Sequence, residues 1–159
     1  MPGPPSSKDI VGGIDDLYQE VILDHYRRKR GEGSLENPSV AVDQNNPLCG
    51  DEIHLELNIE GGVVTEIAHS GDGCSISQAS MSMMSEALVG KPLDEALGTV
   101  EHFRMVMHGS EEGDEDRLGD AIALEGVAKY PVRVKCALLG WMAAKDAIQT
   151  YQREEEGVV

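Results

Sequence analysis

Apolar and polar residues alternate strictly over residues 53–59, which predicts a β-strand with one buried face. The apolar positions of this run are Ile53, Leu55, Leu57 and Ile59. His54 lies between them, and we expect it to face solvent. The glycine pair at 61–62 is typical of a hairpin turn, so residues 63–67 are expected to return as a second strand. Alternating valines at 40–42 predict a third, short strand.

Helical periodicity predicts helices before and after this small sheet. The expected helices and helical pieces span 14–30, 75–89, 92–108, 117–127 and 135–153, and the piece at 117–127 is expected to be broken at Gly119. Tyr130 and Pro131 should be extended, because proline disfavours helix in the residue before it. The order of helix, meander and helices predicts an α+β fold, with a small antiparallel three-stranded sheet and helices packed on one face.

Composition limits the organisation and the partners of the chain. A single domain over 14–153 is expected, preceded by a disordered Pro-, Gly- and Ser-rich segment, 1–13, and followed by an acidic tail, 154–159. With 13 basic and 29 acidic residues the net charge is −16, which argues against nucleic-acid binding. No apolar run is long enough for a membrane span. An odd cysteine count without a secretory signal favours a reducing compartment, the cytoplasm.

Three cysteines provide the candidate chemistry. Cys49 precedes a predicted strand, whereas Cys74 and Cys136 open predicted helices, a setting that favours the thiolate. Asp51 offers a fourth ligand, and three cysteines with one aspartate suit a tetrahedral Zn²⁺ site. The alternative is that each cysteine is an inert, buried apolar residue. The spacings of 25 and 62 residues match no local zinc-finger pattern, so spacing alone does not establish the site.

Four segments together resemble the SufU branch of the IscU-like family, in which the similarity extends over about residues 14–151. These segments are LYQEVILDHY at 17–26, NNPLCGD at 45–51, GCSISQA at 73–79 and PVRVKC at 131–136. Lys135 stands where the IscU type has histidine before the third cysteine. The segment from about 103 to 126 resembles the helical insertion of the SufU type. Both features favour the SufU branch.

The resemblance implies a zinc ion held by Cys49, Asp51, Cys74 and Cys136. It also implies that Cys49 accepts sulfane sulfur from the persulfide of a SufS-type cysteine desulfurase and passes it to the iron–sulfur cluster assembly machinery. The chain would then act as a sulfurtransferase-like partner of the desulfurase rather than as a stand-alone enzyme.

The basic residues beside the third cysteine, Arg133 and Lys135, are candidates for the desulfurase contact, although a surface arginine is an equally ordinary interpretation of Arg133. Two alternatives to the relay remain open. In the first, the same four ligands hold iron or a [2Fe–2S] cluster on an assembly scaffold, which Lys135 disfavours. In the second, the domain is a purely structural zinc site, which the glycines beside Cys49 and Cys74 disfavour.

Overall fold

A computed structural model of the protein describes residues 16–47 and 50–157, and the side chains of residues 16 and 17 are outside this description. The expected disorder of 1–13 concerns residues outside the described ranges. In chain order the elements are α1 Asp16–Arg27, β1 Val40–Asn46, β2 Asp51–Glu60, β3 Val63–Asp72, α2 Ser75–Leu88, α3 Leu93–Met107, α4 Glu115–Leu118, a 3-10 helix Gly119–Lys129 and α5 Pro131–Glu155.

The three strands form one antiparallel sheet in the order β1-β2-β3, which confirms the predicted fold class. The alternation over 53–59 is the cause of its two faces, because the four apolar side chains of β2 are at most 5% exposed. His54 lies on the opposite, polar face with its side chain 38% exposed, and it bonds to Asp43 and Glu56 across and along the strands.

The helices cover the apolar face of the sheet. Helix α5 packs on β1 and β2, and α2 packs between α1 and α5. Trp141 of α5 is fully buried, and its ring stacks on that of Phe103 from α3 with 4.1 Å between the ring centroids. The indole Nε1 of Trp141 donates to Ser80 Oγ on α2 at 2.9 Å, so the three helices meet around one satisfied aromatic residue.

Two predicted helix boundaries were wrong. The first helix ends at Arg27 rather than at residue 30, and the Asp24 carboxylate then accepts hydrogen bonds from Arg30 and Arg28. These bonds lower the pKa of Asp24 to about 2, and the bond from Arg30 has the largest effect. The last helix begins at Pro131, not at residue 135, because proline has no N–H and therefore fits the first helical position.

The segment between α3 and α5 differs from the predicted helical piece at 117–127. It consists of the short α4 followed by the 3-10 helix, and the break lies at Gly119, whose φ of +56° a side-chain residue rarely adopts. The last helix also continues to Glu155, so the tail expected from residue 154 begins inside a helix.

Candidate metal centre

Asp51 is the first residue of β2, and its carboxylate is completely buried. One oxygen, Oδ1, accepts the backbone N–H of Cys74 at 3.0 Å. The other oxygen, Oδ2, is buried and has no hydrogen-bond partner among residues 16–47 and 50–157. A buried carboxylate oxygen in this condition is costly unless a cation neutralises it. Asp51 Oδ2 is therefore the strongest sign that a cation belongs at this place.

Cys74 is the N-cap residue of α2, as the sequence predicted for a cysteine at a helix start. Its Sγ accepts the backbone N–H of Ser77 at 3.4 Å, and its own N–H binds Asp51. The positive end of the helix dipole and the Ser77 N–H group both point at this sulfur. The side chain is half-buried, so the sulfur stays reachable from outside.

Cys136 lies on α5, one and a half turns after its start at Pro131, rather than opening the helix as predicted. It is 2% exposed, and its Sγ lies 3.7 Å from the carbonyl oxygen of Val132. Because this helix packs against β1 and β2, Cys136 faces the end of the sheet from which Asp51 projects.

These three side chains converge although each belongs to a different element. The ligand atoms of Asp51, Cys74 and Cys136 all lie within 4.8 Å of one another. Ligands of one tetrahedral Zn²⁺ ion, bonded at about 2.0–2.3 Å, lie about 3.5–4 Å apart, so minor side-chain adjustment closes the group around an ion. Two sulfurs and one buried carboxylate oxygen, Asp51 Oδ2, are ligands that suit zinc chemically. Cys49 lies outside the described residues, two positions before Asp51 in sequence.

The two predicted partner-binding residues lie on the surface next to this centre. Arg133 and Lys135 are both exposed in the first turns of α5, just before Cys136. Lys129, at the end of the 3-10 helix, is exposed as well. No acidic residue occupies the first turn of α5, although acidic residues are the ones that a helix N-terminus favours. Helix stability therefore does not explain why the residues at this helix start are basic.

Comparison with known proteins identifies the family. The NifU-like N terminal domain matches residues 17–137, well over half of the chain. The chain belongs to the NifU-like N-terminal domain family. This finding confirms the resemblance drawn from the four sequence segments.

Relatives of this NifU-like domain carry two kinds of name. This chain is 45% identical over 144 residues to the zinc-dependent sulfurtransferase SufU of Bacillus subtilis. The match covers 91% of this chain and 95% of that protein. This chain is 42% identical over 136 residues to the iron–sulfur cluster assembly scaffold protein IscU of Streptococcus pyogenes. The match covers 86% of this chain and 85% of that protein.

Solved structures agree with the fold. An iron–sulfur cluster assembly scaffold protein for the SUF system from Fervidobacterium islandicum is 37% identical, with a TM-score of 0.77 over 81% of this chain and 94% of that one. The N-terminal part of a nitrogen-fixing NifU-like protein from Brucella abortus is 28% identical. Its TM-score is 0.81 over 88% of this chain and 97% of that one.

A second group of possible ligands lies between α1, α2 and the 3-10 helix of this NifU-like domain. The ligand atoms of His25, Glu86 and Asp120 are also within 4.8 Å of one another. Arg30 already places a cation 3.7 Å from Glu86, and His25 bonds to Asp120 at 2.8 Å and to Ser82 at 2.7 Å. We interpret this group as a network that fastens the segment between α3 and α5 to the helices beside it.

Sequence reasoning missed Ser77 and undervalued Gly73 at the metal centre. The Ser77 side chain is buried, and its hydroxyl has no hydrogen-bond partner in the part of the chain that the structure describes. A Cβ added at Gly73 would overlap Ser77 Oγ and lie 2.6 Å from Asp51 Oδ1. Both residues belong to the GCSIS segment, but only the folded chain reveals that the strand end reaches the same point.

Among the described ranges, no helix combines the length and apolarity that crossing a bilayer requires.

Proposed function

We propose that this protein is a zinc-dependent sulfur acceptor and relay, which takes persulfide sulfur from a SufS-type cysteine desulfurase and passes it to iron–sulfur cluster assembly. The observation that carries the proposal is the buried Oδ2 of Asp51, which has no hydrogen-bond partner among the described residues and lies beside the sulfurs of Cys74 and Cys136. The name of the Bacillus subtilis relative supports zinc and sulfur transfer over scaffolding. Cys49, adjacent in sequence to this group, would complete the ligand set.

Zinc would keep the thiols deprotonated without taking part in redox chemistry. Asp51, Cys74 and Cys136 then hold the site together, while Cys49 is the residue that reacts. The Cys49 thiolate attacks the terminal sulfur of the partner's persulfide. A new S–S bond forms to Cys49, the partner's S–S bond breaks, and the partner's cysteine leaves as a thiolate. The transfer is balanced without an external oxidant or reductant.

The basic start of α5 is the surface that we propose for the desulfurase. Arg133 and Lys135 are exposed cations beside a cysteine ligand, on a chain with a net charge of −16. Opposite charges near a reaction site orient an encounter and raise its rate more than its affinity. The desulfurase would accordingly present acidic groups around its persulfide. Because persulfide transfer needs reduced thiols, we place the protein in the cytoplasm.

A cluster scaffold is the second candidate, since the Streptococcus pyogenes relative bears that name. The same ligands would then hold iron. The two functions differ in metal and in dependence on the desulfurase.

The test is the metal content of the purified protein, followed by turnover of a SufS-type desulfurase with and without it. The relay requires one zinc per chain and a large stimulation that Cys49→Ala abolishes. Iron with acid-labile sulfide and little stimulation would establish the scaffold instead. Full stimulation by Cys49→Ala would overturn the sulfur relay.

Arg133→Ala tests the proposed contact surface, with Arg153→Ala as its matched control. Both arginines are exposed on α5, but 20 residues of helix separate them by about 30 Å. We expect Arg133→Ala to lower the stimulation several-fold at limiting protein concentration, whereas Arg153→Ala leaves it unchanged. Equal effects of the two variants would contradict the assignment of the surface.

A further inference from the structure

The Ser77 hydroxyl is a buried polar group for which the described part of the chain provides no partner. Ser77 is the third residue of α2 and only 2% exposed. A buried serine in a helix can donate to the carbonyl four residues earlier, yet Ser77 Oγ has no hydrogen-bond partner within the described ranges. A buried hydroxyl without a partner is costly, so its natural acceptor is a group of the site that it borders.

The acceptor that borders the same space is the Asp51 carboxylate. A Cβ built at Gly73 would touch Ser77 Oγ and Asp51 Oδ1 simultaneously, so both oxygens line one small gap that only glycine leaves open. Asp51 Oδ1 already accepts the N–H of Cys74, and an ionised carboxylate oxygen has capacity for a second donor. The built Cβ lies 2.4 Å from Ser77 Oγ and 2.6 Å from Asp51 Oδ1, so the two oxygens are at most 5 Å apart.

We propose that Ser77 is a positioning residue, whose hydroxyl donates to Asp51 Oδ1 when metal is bound. With two donors on Oδ1, only Oδ2 remains to bind the metal, and the carboxylate is fixed as a one-oxygen ligand. Groups that orient a ligand from behind commonly change metal affinity 10- to 100-fold. Ser77 thereby makes Asp51 a firmly held ligand, so that ligand exchange at the metal takes place at the sulfur ligands. This inference rests on the proposed function.

The first test compares the zinc affinity of Ser77→Ala with that of the wild type, by competition against a chromophoric chelator. We expect a loss of about 10-fold or more and faster zinc release. Ser75→Ala is the matched control, because it removes a half-buried hydroxyl from the same helical turn. An unchanged affinity in Ser77→Ala, or an equal loss in Ser75→Ala, would overturn the inference.

A double-mutant cycle identifies Asp51 as the group through which Ser77 acts. In the Asp51→Ala background, Ser77→Ala should cost no further zinc affinity, whereas an undiminished loss there would contradict the proposed bond. Circular dichroism checks folding. If Ser77→Ala does not fold, the similarly sized pair Ser77→Thr and Ser77→Val replaces it, and only the hydroxyl-bearing threonine variant should retain wild-type affinity. A wild-type protein that binds no zinc would refute the proposed function itself.

Discussion

At the scale of single residues, the metal centre depends on the absence of a side chain at Gly73. The φ angle of Gly73 is not in the left-handed region, so conformation does not explain its presence. The space that it leaves is what brings Asp51 Oδ1 to the N–H of Cys74. Sequence reasoning took this glycine only as a sign against a purely structural zinc site, because the carboxylate that approaches it comes from β2, 22 residues earlier in the chain.

Gly73→Ala should therefore disrupt the site without unfolding the protein. The new methyl group displaces either the Asp51 carboxylate or the Ser77 side chain, and zinc affinity should fall by more than 10-fold. Titration with a zinc-selective chelator measures it. Gly98→Ala is the control, since its Cβ meets only the mobile tip of Arg117 at 3.2 Å, and alanine favours helix. Unchanged zinc binding in Gly73→Ala would refute this account.

His69 predicts how stability depends on pH. It is 2% exposed and binds the Arg30 carbonyl oxygen through Nε2 at 2.7 Å. Burial lowers its pKa below the ordinary 6.5, so the unfolded chain takes up the proton more readily than the folded one. The contribution of His69 to stability is complete above pH 6.5 and is lost as the pH falls through 6.5 to the folded pKa.

Urea unfolding of the wild type and His69→Gln between pH 5 and 7 measures this effect. Glutamine keeps a donor for the Arg30 carbonyl but does not titrate, so the variant should lose the steeper decline below pH 6.5. His54, whose pKa is raised by hydrogen bonds to Glu56 and Asp43, acts in the opposite sense above pH 6.5 and is common to both proteins. Parallel stability curves would exclude His69 as the cause.

At the scale of elements, α2 and α5 approach each other closely at Gly140. A Cβ on Gly140 would overlap the Met81 side chain of α2. Nearby, Ser80 Oγ donates to the Ala137 carbonyl at 2.6 Å and accepts from Trp141, which fixes the distance between the helices. The contact aligns the helix that carries Cys136 with the helix that Cys74 caps.

Gly140→Ala should lower the free energy of unfolding by about 1–2 kcal/mol, because overpacking outweighs the gain in helix propensity. Chemical denaturation measures the change. The same substitution at Gly98, where space is available in α3, should be neutral or stabilising. A stabilised Gly140→Ala would mean that Met81 moves aside freely.

The elements also reveal what the pattern of the sequence could determine. The strands around the 61–62 turn followed directly from alternation, since one face of β2 is buried and the other is polar. Periodicity did not predict the type of helix over 119–129, because a 3-10 helix repeats every three residues. The break at Gly119 lies where the sequence predicted it. The start of α5 was misplaced because Pro131 serves as a first helical residue rather than as a terminator.

At the scale of the whole molecule, motif resemblance named the candidate ligands, but only tertiary structure brings three of them together. Asp51, Cys74 and Cys136 come from a strand, a helix cap and a helix interior. Their convergence depends on the packing of α5 against the sheet, which no local spacing encodes. The orphaned carboxylate oxygen could not have been predicted, because burial is a property of the assembled core.

Removal of the metal should destabilise the entire domain. Zinc at 1,000 times its dissociation constant adds about 4 kcal/mol to the unfolding free energy, equivalent to a rise of about 10 °C in the unfolding midpoint. Thermal unfolding followed by circular dichroism, with zinc and with a chelator, measures this difference. Cys136→Ala should show a much smaller difference, and an identical shift in that variant would place the stabilising ion elsewhere.

The wide separation of the ligands along the chain has a kinetic consequence. Asp51 and Cys74 lie 23 residues apart, and Cys136 follows after 62 more. In an unfolded chain these residues are joined by long, flexible loops. Bringing the residues together costs loop-closure entropy for each loop. One short stretch, 49–51, holds two of the four proposed ligands, which is only half of a tetrahedral set. Ion capture must therefore follow the assembly of the three elements, so a newly synthesised chain folds first and acquires its metal afterwards.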